Sequence, residues 1–321
     1  MGQTFHWVTP VECSPGSTLT WVDVDLDSYI GGLGADVTGV LLYFWNSNVA
    51  GTLWNFGARK NGSTDDRHDD VDRNRHCYAA VGVDADHIFE CYIENTSYCQ
   101  VYIVGYTTTG VTFFTNAYNK SLGTTGAWTD IDCSSECPDA VGLIFEQKGN
   151  STYYDVGMRK NESTDDRVSR AKDHRCFGVI IGCDASQICE AKITNVALDH
   201  FLHGYITDGA TFLTNATDYS IATTSAWTDM NALPAGAIGG FFESYPTDNG
   251  GHITSIRKNG SGDDISGRTC DSHVWHFIES ASLICECWID ATDATANDVF
   301  LSGYATAAAA AVTRSFGFIM G

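Results

Sequence analysis

Arg59-Lys60-Asn61-Gly62-Ser63-Thr64-Asp65-Asp66-Arg67 occurs three times in this chain of 321 residues. It returns as Arg159-Lys160-Asn161-Glu162-Ser163-Thr164-Asp165-Asp166-Arg167. It returns again as Arg257-Lys258-Asn259-Gly260-Ser261-Gly262-Asp263-Asp264, with Arg268 displaced by a short insertion. Other anchors keep the same order and pitch: Trp21, Trp128 and Trp227, each followed two residues later by an aspartate, and the dipeptides Gly105-Tyr106, Gly204-Tyr205 and Gly303-Tyr304. Self-similarity at a fixed pitch marks a repeat architecture. Three units follow, with expected bounds 1–117, 118–216 and 217–321.

Each unit reads as about eight short strands. In the second they are predicted near Ala127–Asp132, Ala140–Gln147, Tyr153–Arg159, Arg167–Val168, Cys176–Cys183, Gln187–Ile193, His200–Ile206 and Thr211–Thr214. The alternation is sharpest where Phe89, Cys91 and Ile93 share one face, as do Cys189, Ala191 and Ile193, and Cys285, Cys287 and Ile289. Asn61-Gly62 and Asn259-Gly260 suit tight hairpins, whose central residues take positive φ. With no helical period, the expectation is an all-β chain of three tandem β-sandwich modules, jelly-roll-like, of about 100 residues each. Trp21, Trp128 and Trp227 are expected at equivalent buried positions, and Gly105, Gly204 and Gly303 where a side chain would clash. The connections Ser121–Thr125 and Ser220–Thr224 are short, alike and partly apolar, unlike flexible linkers. They favour a compact closure of the three units over a rod.

Forty acids against eighteen bases leave a net charge of -22, and every unit is acidic. Phosphate backbones would be repelled along the whole chain, so nucleic acid is not an expected partner. The longest apolar run, Ala307 to Val312, is too short to cross a bilayer, so no membrane partner is expected. The opening residues do not read as a leader. No Gly-x-Ser-x-Gly, His-Glu-x-x-His or phosphate-cradling loop is present, and three copies of one module argue against an enzyme. No cofactor is expected.

The repeated loop is the best candidate for a site. Arg59, Asp65, Asp66, Arg159, Asp165, Asp166, Arg257, Asp263 and Asp264 suit a calcium ion or an acidic ligand, or else a charged structural turn that protects a sheet edge. Glu90, Glu190 and Glu286 recur on the polar side of one strand and are expected to pair with Arg59, Arg159 and Arg257. Trp45, Trp54 and Tyr154 are candidates for stacking on a sugar ring, or for core filling. Twelve cysteines exchange with Phe and Ala between units, which is the behaviour of small buried hydrophobes. Two local disulfides remain open, Cys133 with Cys137 and Cys91 with Cys99. Cys285 and Cys287 with His273 and His276 make a metal site conceivable, but no metal is expected. Asn61, Asn95, Asn119, Asn150, Asn161, Asn215 and Asn259 begin sequons that Asn-Gly turns and Thr/Ser-rich strands produce by themselves.

The run Trp128 to Glu146, then Gly157-Met158-Arg159-Lys160-Asn161-Glu162-Ser163-Thr164-Asp165-Asp166-Arg167, then Gly204-Tyr205-Ile206-Thr207-Asp208-Gly209 resembles uncharacterised tandem β-sandwich modules of tailed-phage and related viral sequences. The resemblance covers all three units. It implies a virion structural protein, a capsid decoration or a tail or fibre component, with other virion proteins as partners. Binding of a cell-surface glycan by an adhesin or fibre is the alternative, and an extracellular filament subunit is a third.

Overall fold

The computed structural model describes residues 2–149, 154–171, 176–246, 253–262, 273–290 and 297–307. The first unit holds β1 (Phe5–Glu12), β2 (Trp21–Asp25), β3 (Gly39–Asn46), β4 (Trp54–Lys60), β5 (Asp69–Val71), β6 (Arg75–Gly82), β7 (Ile88–Ile93) and β8 (Cys99–Thr107). The second holds β9 (Val111–Asn119), β10 (Thr129–Asp132), β11 (Gly142–Gly149), β12 (Tyr154–Lys160), β13 (Ser169–Ala171), β14 (Cys176–Gly182), β15 (Ile188–Ile193) and β16 (Leu198–Ile206). The third holds β17 (Ala210–Asp218), β18 (Thr228–Asp229), β19 (Ala237–Pro246), β20 (Thr254–Lys258), β21 (Val274–Glu279), β22 (Cys285–Ile289) and β23 (Asn297–Thr306).

The expected fold, three tandem β-sandwich modules of jelly-roll type, is corrected. Six small sheets, the sheet number of a six-bladed β-propeller, are gathered about one centre, and one hydrophobic core runs through all of them. The strand order is crossed rather than the meander of ordinary propeller blades: β1-β8-β3-β6 and β2-β7-β4-β5 in the first unit, with the same pattern in the others. The chain thus passes back and forth between the two sheets of a pair, whose facing sides meet through Phe44 and Phe56, ring centroids 5.5 Å apart.

What overturns the tandem reading is burial on the other side. In a self-contained unit the outer side of β3 would be solvated, yet Leu41 and Tyr43 are as buried as Val40 and Leu42. Period-two alternation reports which side chains are apolar. It does not report what covers them, so a strand buried on both sides by a neighbouring unit escapes it.

The boundaries move as well. β9 pairs with β16, and β17 with β23. The chain therefore crosses between units at Thr108–Gly110 and Thr207–Gly209, before Ala117 and Ala216. The segment Thr211–Thr214, expected to end the second unit, lies in the first strand of the third.

Closure rests on one contact used three times. Phe113 of β9 lies against Gly39 and Gly82 of the first unit, where an added Cβ would come within 2.2 and 2.6 Å of the ring. Phe212 of β17 does the same against Gly142 and Gly182, and Trp7 of β1 against Gly239 of the third unit. Strands β6, β14 and β21 meet at the centre. At one end the backbone bonds run in a cycle: Thr108 N–H to Thr4 O at 2.9 Å, Thr207 N–H to Gly110 O at 2.8 Å, and Thr306 N–H to Gly209 O at 2.9 Å. A heterologous contact repeated in this way closes a ring. The compact arrangement, not the rod, is what the chain adopts.

Smaller expectations resolve individually. A Cβ on Gly204 would lie 2.3 Å from the Thr112 carbonyl oxygen, and one on Gly105 2.6 Å from that of His6. Both glycines are there for close backbone approach. The following tyrosines are half-buried, with Tyr106 stacked on His6 at 4.6 Å.

Candidate functional site

The repeated loop folds into a staple on the outer side of each sheet that carries β4, β12 or β20. Arg59 sits opposite Glu90 in register and pairs with it at 2.8 Å; Arg159 with Glu190 and Arg257 with Glu286 repeat the distance. Each guanidinium also lies over an indole, 4.2 Å from Trp21, 4.1 Å from Trp128 and 3.9 Å from Trp227. The three tryptophans are therefore half-exposed rather than buried, because a cation and not the core covers them. The indole N–H donates to Asp66 at 2.9 Å and to Asp166 at 2.8 Å. That donation comes first among the causes that hold the exposed Asp66 carboxyl below its ordinary range.

The paired aspartates diverge. Asp65 accepts from Arg67 at 3.0 Å and from the Ala117 N–H at 2.8 Å, and Asp165 accepts from Arg167 and Ala216 in the same way. An oxygen cage for calcium needs its carboxylates turned to one point, and these face different ways. Asp263, Asp264 and Arg268 lie outside the described residues. Among the described residues no three of His, Cys, Asp and Glu converge as a metal site would require, Cys285, Cys287, His273 and His276 included.

Trp45, Trp54 and Tyr154 pack half-buried against the core, Trp54 stacked on Tyr98 at 6.4 Å. Cys91, Cys99, Cys133 and Cys137 are free buried thiols, so both expected disulfides are corrected. Their strands and turns place them as apolar packing, and burial pushes the Cys99 thiol up to about 11.

The sequence reading missed the groups between units. At the first interface Arg67 donates to Glu146 of the second unit at 2.9 Å, His203 contacts the same carboxylate at 2.7 Å, and the guanidinium covers Phe201 at 4.2 Å. At the second, Arg167 pairs with Glu243 at 2.7 Å and covers Phe300 at 4.3 Å, and His273 bonds Glu243 from the other side. Burial would raise the Glu243 carboxyl, but His273 and Arg167 outweigh it and hold it below its ordinary range. A hairpin clamp accompanies each network: Asn116 Oδ1 accepts from Ser63 Oγ at 2.9 Å, and Asn215 Oδ1 from Ser163 Oγ at 3.0 Å. The recurrence of Arg67 and Arg167 was visible in the sequence. Their acceptors were not, since Glu146 and Glu243 have no acidic counterpart in the first unit.

The third interface, between the third and first units, is built differently. Strand register puts Tyr43 where Glu146 and Glu243 stand, and Val104 where His203 stands. Pro10 replaces the clamping Asn116 and Asn215. Tyr78 replaces Gly178, whose missing side chain lets β14 approach Ala79 of β6 so closely that a Cβ would lie 2.8 Å from the Ala79 Cα. The Tyr78 ring instead meets His276 at 5.3 Å and holds the strands apart. The result is a cavity of about 380 Å³ lined by Trp7, Tyr43, Tyr78, Ile256, Phe277 and the Arg257–Gly262 hairpin, whereas the corresponding space at the first interface is about 20 Å³.

Comparison with protein-family models, with curated proteins and with solved structures found no match.

Proposed function

We propose that this chain is a non-enzymatic structural protein that seats, one copy at a time, on a threefold-symmetric position of a larger particle, as an outer decoration of a virion capsid does. The observation that carries the reading is the closure: three equivalent units meet through Phe113, Phe212 and Trp7 in one repeated contact, so a single chain presents a threefold arrangement. A symmetric acceptor is matched by a partner of the same symmetry. Supporting it, the conspicuous ionic groups, Arg67 with Glu146 and Arg167 with Glu243, join units to one another. They are spent on assembly rather than turned into a cleft. An acidic surface, from a net charge of -22, keeps such a protein soluble until it docks.

Electron microscopy of source particles with the chain restored to them tests this. Density for one copy on each threefold or quasi-threefold position is the expected result. Density along a tail, or no binding to particles, would reject it.

A further inference from the structure

We propose that the cavity between the third and first units is a binding site for a neutral mono- or disaccharide. The other interfaces of the same ring serve as the comparison. At the first, an ion network and an asparagine clamp reduce the space to about 20 Å³; at the third, where both are replaced, about 380 Å³ stands open. That volume falls at the small end of ligand pockets, which run from about 300 to 1,000 Å³. The replacements also change the chemistry in one direction. Glutamate gives way to Tyr43, histidine to Val104, glycine to Tyr78, and the aromatic at the closing contact is Trp7 rather than phenylalanine.

The walls are therefore aromatic and aliphatic: Trp7, Tyr43, Tyr78 and Phe277 offer ring faces and edges to an apolar sugar face. The rim is polar, made of the backbone and side chains of Asn259, Gly260 and Ser261, with Thr9 opposite. Its cations are already neutralised, Arg257 by Glu286 at 2.8 Å and Lys258 by Glu279 at 2.7 Å. An anionic ligand would find no unspent cation among these residues and would meet the field of a strongly acidic chain. A fully apolar ligand would leave the hairpin's polar groups facing it unsatisfied. A neutral ring with hydroxyls on its edge and C–H groups on its face meets both walls and rim. This site is independent of whether the chain sits on a particle.

Saturation-transfer NMR on the full chain, with maltose, cellobiose, lactose and chitobiose as separate probes, tests it. Transfer to at least one disaccharide is expected, with pyranose C–H protons saturated more strongly than the rest. Gly262→Trp aims an indole into the cavity from a position where an added Cβ meets nothing within 4 Å, so the fold is retained, and binding should weaken at least tenfold. Gly123→Trp, on an open loop of the second unit, should leave it unchanged. Absence of transfer from all four sugars overturns the proposal. So does undiminished binding by Gly262→Trp.

Discussion

Trp7 donates its indole N–H to the carbonyl of Phe277, 270 residues away, at 3.4 Å. The first strand of the chain is thereby fastened to the last unit, and the indole fills the notch at Gly239 that Phe113 and Phe212 fill elsewhere.

Closure predicts a compact particle whose integrity depends on this residue. Small-angle scattering of the intact chain should give a radius of gyration near 20 Å, the value for a compact chain of this length. Trp7→Ala should raise that radius while leaving the far-ultraviolet circular dichroism of a β protein intact. A wild-type radius far above 20 Å would reject the ring, and an unchanged radius in the variant would show that the seam does not depend on Trp7.

Glu243 is 1 % exposed and holds Arg167 on one side and His273 on the other. Glu243→Gln removes the charge and leaves a buried guanidinium without its counterion, which costs about 3–5 kcal/mol. Glu90→Gln breaks a half-buried pair on the outer side of a sheet and should cost about 1 kcal/mol or less. Denaturant melts of the two variants check the order, and equal losses would contradict it.

Acid should destabilise the chain through its buried imidazoles. Burial alone depresses His76 and His200 from 6.5 to about 4 in the folded chain. His76 faces Tyr43, Tyr78 and His276, and His200 lies opposite Gln147; neither touches a carboxylate. A base with a depressed folded pKa contributes nothing unfavourable above about 6.5, where both states are neutral. As pH falls from 6.5 toward 4 the unfolded chain takes up protons first, so stability is lost across that window. Each residue accounts for roughly 3 kcal/mol at 1.36 kcal/mol per pH unit. Melting temperature between pH 7 and pH 4 measures it, and His76→Phe with His200→Phe should flatten the profile.

The cysteines should behave as reduced, inaccessible side chains. Cys91, Cys99, Cys133 and Cys137 should resist a thiol reagent in the native state and react after denaturation, with no change in melting temperature on adding reductant. Loss of stability under reductant would restore the disulfides.

How far the sequence could be read follows from the range of its signals. The alternation of Phe89, Cys91 and Ile93 is local, and it located β7 and the outward Glu90 that pairs with Arg59. The strand Val111–Asn119 was assigned to the wrong unit because hydrogen-bond partners, here Ile206 to Phe201, leave no mark on the strand's own pattern. Trp21 was expected in the core on its hydrophobicity, and only the register of Arg59 across the sheet explains why a surface indole is stable there. The interface acids Glu146 and Glu243 sat in apolar runs that read as ordinary buried strand. What set them apart was a partner in another unit, and nothing within one repeat could announce it.

A trimer of identical chains writes every substitution into all of its interfaces at once. Here Pro10 and Tyr43 alter one junction while Asn116 with Glu146, and Asn215 with Glu243, keep the other two. Two interfaces are thus free to conserve the body while the remaining one diverges, and the load of holding the ring need not be shared equally by the residue that explores something new. Because all three units are covalently joined, the assembly also survives dilution that would separate independent subunits.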